Sequence, residues 1–384
     1  MINRVILNER SYFGRGSRKK ILAEVKERGL KRLLIVTDHN LVKEGIIDMI
    51  TKDFDHSTGI SYLIFDNVKP NPTVTIVKEG VEVAKHHGSD VIIAIGGGSS
   101  IDTAKAIGIV LANPECEDVV SLENKSTKNK SIPLIAIPTT SGTAAEVTIN
   151  YVITDEQRVK KMVCIDPNDI PMTAIIDPDL MDKMPKTIAA STGMDALTHA
   201  LEGYITKNAW LIPDIFHINA MSILYKNLEK AVNDKDYKAI EKVAYAQYIA
   251  GMGFSNAGLG ITHSLAHSLG AYYDTPHGVA NALLLPHVLE FNGKKCPKLF
   301  RNIGEAFGLN VEDSTDEEVV SKVVDAIKEL NKKLNIPQTL KEIGISKEMI
   351  PTLAKQAIND VCTPGNPREV TVGDLINIYE KAYQ

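Results

Sequence analysis

The 384 residues are 44% hydrophobic and 24% charged, with 26 Gly and 17 Pro, a balance that excludes disordered and fibrous classes. At about 150 residues per domain, this length suggests two domains. With 43 Lys and Arg against 48 Asp and Glu, the net charge of -5 leaves no basic field for a phosphate backbone, so nucleic acid is not an expected partner.

No apolar run approaches the roughly 18 residues that span a bilayer, and the N-terminus carries no signal-peptide pattern. A cytoplasmic protein with no membrane partner is the expectation. The four cysteines, Cys116, Cys164, Cys296 and Cys362, are far apart and form no Cys-x-x-Cys pair, so they read as reduced, unpaired thiols.

In chain order, near-continuous apolar runs at 33–37, 62–65, 91–95, 132–137 and 173–176 read as parallel strands covered on both faces. Between them, 19–28, 73–86 and 101–111 carry apolar residues at helical spacing, which predicts a doubly wound α/β domain with a mostly parallel sheet. The stretch 124–130, rich in Asn and Lys, reads as a solvated loop. After Asp177-Pro178-Asp179-Leu180 the pattern becomes helical, at 194–206, 213–228, 238–252, 260–270, 321–334 and 371–383. Pro276, Pro286 and the 362–367 stretch read as breakers. The predicted division is an α/β domain over 1–180 and an all-α domain over 181–384.

The strand at 91–95 runs into Gly96-Gly97-Gly98-Ser99-Ser100 and then a helix. Glycines at that turn let backbone N–H groups close on a diphosphate at the positive end of the helix. Asp38 directly follows another strand, where its carboxylate can accept from a ribose diol and repel a 2'-phosphate, favouring NAD over NADP. The acid lies upstream of the glycines, so the two motifs must sit on adjacent strands. Pro138-Thr139-Thr140-Ser141-Gly142-Thr143 brings hydroxyls to a third strand end. Asn71, before Pro72, reads equally as an Asx turn or a cofactor contact.

Asp195 and His199 are spaced i, i+4, which puts carboxylate and imidazole on one helix face. His263 and His267 repeat the spacing, and His277 stands at a loop-to-helix junction. These are candidate ligands in segments rich in Ala, Gly and Leu, and clustered buried histidines usually bind a metal or one another. One carboxylate with imidazoles and no thiolate suits Fe2+, Zn2+ or another divalent first-row ion. A dinucleotide turn in one domain and a metal in the other suggest that the metal polarises a carbonyl while the nicotinamide delivers hydride.

The segments 96–105, 193–199 and 260–286 resemble those of the iron-dependent (group III) alcohol dehydrogenases, and the likeness covers essentially the whole chain. The resemblance implies the fold shared with dehydroquinate synthase, and Asp195, His199, His263 and His277 as ligands of Fe2+. His267 is left beside the nicotinamide, placed to pass the alcohol proton to solvent. It further implies Asp38 at the adenosine ribose and Gly97, Gly98 and Ser99 at the diphosphate. Thr139 and Thr140 go to the nicotinamide half, Thr143 and Asn71 to the cofactor, Lys161 to a ribose hydroxyl and Leu180 to the adenine.

For the substrate, a small aldehyde or alcohol, the resemblance implies Asn150, Val152, Phe254 and Cys362, with Asn150 bonding a 2-hydroxyl and Phe254 limiting chain length. A homodimer through the N-terminal strand is implied as well. The expected activity is reduction of short aldehydes, with ethanol, butanol or propane-1,3-diol oxidation as the alternative. A lyase resembling dehydroquinate synthase needs Lys and Arg for a phosphorylated substrate, and the segments around Asp195 and His263 carry no such cluster.

Overall fold

The computed structural model describes residues 2–384. It divides into two compact units, one running to Thr140 and resuming over Ala144–Met184, the other made of Ser141–Thr143 and Pro185–Gln384. In the first unit the elements are β1 (Arg10–Phe13), α1 (Ile21–Glu27), β2 (Arg32–Asp38), α2 (His39–Lys43), α3 (Asp48–Asp55), β3 (Ser61–Val68) and α4 (Val74–His87). They continue with β4 (Val91–Gly96), α5 (Gly98–Ala112), β5 (Leu134–Pro138), β6 (Asn150–Asp155), β7 (Lys160–Ile165) and β8 (Thr173–Ile176).

Six strands form one parallel sheet in the order β1-β8-β5-β4-β2-β3. Alternate residues of each strand feed separate cores. Leu33, Ile35, Ile93 and Ile135 pack with α1 and α3 on one face. Leu34, Val36, Ile92 and Ala136 pack with α4 and α5 on the other. Burial on both faces is the reason these strands are near-continuously apolar in sequence.

β1 and the antiparallel hairpin β6–β7 lie outside the predicted elements. β1 is a four-residue edge strand, Arg-Ser-Tyr-Phe, too short and polar for an apolar run. In β6, Tyr151 and Ile153 are buried while Asn150 and Val152 are only partly so, a period-2 alternation that is its legible signal.

The second unit is helical: α6 (Lys186–Ile205), α7 (Leu211–Glu229), α8 (Tyr237–Ala257), α9 (Ile261–Tyr273), α10 (His277–Gly293), α11 (Pro297–Phe307), α12 (Asp316–Lys333), α13 (Ile350–Ala357) and α14 (Val372–Tyr383). The expected break at Pro286 does not occur, since Pro286 lies inside α10. Fully buried Leu284, Leu285, Val288 and Leu289 flank it, and their packing offsets the roughly 3 kcal/mol that an interior proline costs a helix. Among the described residues no helix is long and apolar enough to cross a membrane, and all four cysteines are free.

His217 of α7 is fully buried and fills a slot between two glycines: a Cβ on Gly203 of α6 or Gly253 of α8 would come within 2.3 Å of its Nε2. Neither ring nitrogen has a hydrogen-bond partner, and burial pushes its pKa down to about 3. The unfolded chain therefore binds a proton here, at an ordinary pKa near 6.5, that the folded chain does not. Stability from this group is complete above pH 6.5 and falls as the pH drops towards 3. Between pH 7 and 5 metal-free protein is expected to lose about 2 kcal/mol through His217. Denaturant unfolding at both values checks this, because His217→Leu should shrink the loss by that amount.

Candidate active site

The parallel sheet brings the cofactor motifs of the first unit to one edge. β2 pairs directly with β4, so Asp38 and the Gly96–Ser99 turn stand at neighbouring carboxyl ends, where the strand order reverses. β5 flanks β4 on its other side, and Thr139 N donates to Gly96 O at 2.9 Å. Gly96 has φ 151, and a Cβ there would meet Ser100 Oγ at 2.4 Å, so the turn needs glycine. α5 then starts at Gly98 with Gly97 as its N-cap, which leaves its first amides free for an anion.

Asp38 Oδ1 caps α2, accepting from Asn40 N at 3.0 Å and Leu41 N at 3.2 Å. Asn71 takes a left-handed φ of 53, and its Oδ1 accepts from Lys161 Nζ at 2.5 Å. Thr139 is buried, Thr140 borders Gly97, and Leu180 is 4% exposed within the core beneath the sheet. Thr143 belongs to the short 141–143 stretch of the second unit.

In the second unit α6 presents Asp195, His199 and Glu202 at i, i+4 and i+7, one continuous face. α9 supplies His263 and α10 opens on His277. One donor atom from each of Asp195, His199, His263 and His277 lies within 4.8 Å of every other. His277 Nε2 and His263 Nε2 are 3.6 and 3.8 Å from Asp195 Oδ1. Ligands on bonds of about 2.1 Å around one ion lie roughly 3.5 Å apart, so the spacing suits a divalent metal.

Two further observations test that fit. The Asn281 amide nitrogen sits among three acceptors, 2.7 Å from Asp195 Oδ1, 3.2 Å from His263 Nε2 and 3.1 Å from His277 Nε2. Its two protons face three converging lone pairs, an excess of acceptors over donors that suits a cation. Burial, reinforced by His263, holds the His199 ring well below its ordinary pKa and neutral, as a ligand must be.

Glu202, absent from the sequence expectations, orients His263: its Oε2 accepts from His263 Nδ1 at 2.7 Å, which turns Nε2 towards Asp195. The same carboxylate accepts from Thr262 N at 2.6 Å and Gly260 N at 3.3 Å, closing the N-terminus of α9. Burial opposes its charge, but the His263 bond and these amides outweigh it and keep Glu202 below its usual pKa. The signal was legible as the third acidic or imidazole position on the Asp195–His199 face. Glu202→Gln is expected to weaken metal affinity by at least about tenfold with the fold retained. Chelator competition beside circular dichroism checks it, and unchanged affinity would remove the orienting role.

His267 points elsewhere, its Nδ1 lying 2.9 Å from Asp360 Oδ2. Burial opposes the Asp360 charge, yet attraction to His267 and its hydrogen bond prevail and hold the carboxyl at about 2. Nδ1 thus carries the proton of that bond. Phe254 stacks on His199 at a centroid distance of 4.2 Å. Cys362 N donates to Asp360 Oδ1 at 2.9 Å, and burial pushes the Cys362 thiol well above its usual pKa, so it stays protonated. Asp360 also escaped the sequence reading, because nothing in the 360–367 stretch ties it to α9.

Residues 8–178 match the iron-containing alcohol dehydrogenase family, and residues 189–383 match the C-terminal region of the Fe-containing alcohol dehydrogenase family. The chain belongs to the iron-containing alcohol dehydrogenases. Lactaldehyde reductase of Escherichia coli (strain K12) is 52% identical over 385 residues, covering 100% of both chains. NAD-dependent methanol dehydrogenase of Bacillus methanolicus is 41% identical over 374 residues, 97% of each. Among solved structures, a 1,3-propanediol oxidoreductase superposes with a TM-score of 0.96 at 36% identity, covering 100% of both chains. An alcohol dehydrogenase from Oenococcus oeni does so at 0.95 and 35%, again over 100% of both.

Proposed function

We propose that the chain is a lactaldehyde reductase, interconverting L-lactaldehyde and L-propane-1,2-diol with NADH and Fe2+. The observation that carries this reading is the converging Asp195, His199, His263 and His277 donor set in a chain 52% identical, end to end, to a lactaldehyde reductase. When bound, a divalent ion supplies Lewis acidity to the carbonyl oxygen and NADH supplies hydride to the carbonyl carbon.

The chain's own residues do the rest. Asp195, His199, His263 and His277 hold the ion, and Glu202 fixes the His263 ring. His267, oriented by Asp360, passes the alcohol proton through Nε2. Free amides at Gly98 and Ser99, beside the Gly97 cap, receive the diphosphate, Asp38 the adenosine ribose, and Lys161, next to Asn71, a ribose hydroxyl. Thr139 and Thr140 serve the nicotinamide half, Thr143 contacts the cofactor, and Leu180 lies on the adenine side. Asn150 bonds the 2-hydroxyl beside Val152, while Phe254 and Cys362 wall a short substrate. In this reading the enzyme works in the cytoplasm, in anaerobic fucose and rhamnose use, as a homodimer joined through the N-terminal strand. The exposed Phe13 on edge strand β1 supports that last element.

The related methanol and 1,3-propanediol dehydrogenases favour a second reading, a broader short-chain alcohol dehydrogenase. A panel of kcat/KM values on iron-loaded protein, with metal content measured on the same sample, decides between them. Lactaldehyde is expected to exceed propanal by about tenfold, the worth of one added hydrogen bond. Preference for butanal or 3-hydroxypropanal would overturn the substrate and leave the chemical class standing.

A further inference from the structure

Lys105 of α5 is fully buried, and its ammonium hangs the start of β6 from the helix. Nζ donates to Thr148 O at 2.6 Å, Thr148 Oγ1 at 3.0 Å and Asn150 O at 2.9 Å, with the buried Asp169 carboxylate 3.8 Å away. One turn earlier on the same helix face, Asp102 Oδ2 accepts from Val152 N at 3.0 Å. Asp102 also attracts Lys161, whose Nζ holds Asn71.

Burying a cation carries a desolvation cost that a methionine of similar volume would avoid, so stability alone does not account for Lys105. Its bonds have another consequence. The carbonyl of Asn150 and the amide of Val152 are each tied to a side chain of α5, and the N-terminus of α5 is the Gly97–Ser99 turn. One rigid helix thereby sets the spacing between that turn and the 150–152 segment.

We propose that Lys105 and Asp102 are positioning residues for substrate selectivity, holding the 150–152 segment in register with the cofactor turn. The inference rests on the reading of Asn150 as the contact to a 2-hydroxyl. Neither residue touches the substrate, and each acts through the β6 backbone. Asp102→Asn keeps an oxygen acceptor for the Val152 amide, whereas Asp102→Leu removes it and Lys105→Met removes all three ammonium bonds.

The test compares kcat/KM for lactaldehyde and for propanal in wild type, Lys105→Met, Asp102→Leu and Asp102→Asn. Thermal unfolding, NADH affinity by fluorescence titration and hydrogen exchange of the 150–152 amides are measured on the same samples. The expected result is a change of fivefold or more in the substrate ratio for Lys105→Met and Asp102→Leu. Faster exchange at Val152 accompanies it, with NADH affinity within about twofold and the wild-type ratio kept in Asp102→Asn.

A smaller change of ratio, a parallel fall for both aldehydes with NADH affinity, or Asp102→Asn behaving as Asp102→Leu would overturn the proposal. Should Lys105→Met fail to fold, the two Asp102 variants decide alone. A wild-type ratio near one would remove the lactaldehyde reading by itself, and positioning is then judged by movement of the ratio in either direction.

Discussion

His263→Ala is expected to lose metal and turnover together, with kcat/KM down by about 10³-fold or more, while His267→Ala keeps the metal and loses about 10²- to 10³-fold in kcat. The two imidazoles stand one helical turn apart on α9, with ring centroids separated by 6.1 Å. Their partners separate them. His263 donates its Nδ1–H to Glu202 and turns Nε2 towards Asp195, joining the donor set. His267 donates its Nδ1–H to Asp360 and stacks on His277 at 5.4 Å. Metal analysis of dialysed protein beside steady-state rates reads both outcomes, and metal loss in the two variants alike would reverse the division of roles. Wild-type activity that survives thorough chelation would remove the metal from the chemistry.

Asp38→Gly is expected to shift the ratio of kcat/KM for NADPH to that for NADH upwards by about 10²-fold. Losing a charged acceptor for a ribose diol costs NADH roughly 1.5–3 kcal/mol, and removing the carboxylate relieves repulsion of a 2'-phosphate. Asp38 also caps α2, but glycine at an N-cap costs only a few tenths of a kcal/mol, so the helix should survive the change. Parallel kinetics with both coenzymes check it. A ratio that stays put would show that the carboxylate serves α2 alone.

Much of this was legible along the chain. Runs such as Val91–Ile95 are apolar at every position because both faces of the sheet are covered, and that alone declares a parallel strand. The Gly96–Ser100 turn is local chemistry, a positive φ followed by a helix start. The spacing of Asp195 and His199 already placed them on one face, and extending it by three residues reaches Glu202. β1 and the β6–β7 hairpin were not legible at the same level. A four-residue polar edge strand and a half-buried alternation give weak signals, and β1 is stabilised by a partner distant in sequence, Thr173–Ile176. Pro286 misled for the opposite reason, since local propensity was outweighed by the buried leucines around it.

What the sequence determined by itself is therefore the class of each half and the inventory of chemical groups: a doubly wound α/β part with a glycine turn and Asp38, and a helical part holding clustered imidazoles and Asp195. Tertiary structure decided which groups meet. Spacing makes His263 and His267 equivalent, and only the meeting of α6 with the N-terminus of α9 gives one of them Glu202 and Asp195, leaving Asp360 for the other. Likewise nothing local ties Lys105 to Thr148 and Asn150, 43 and 45 residues downstream. Periodicity reports which face of an element is buried, whereas the identity of the neighbour on that face is set by long-range packing that no short window of sequence contains.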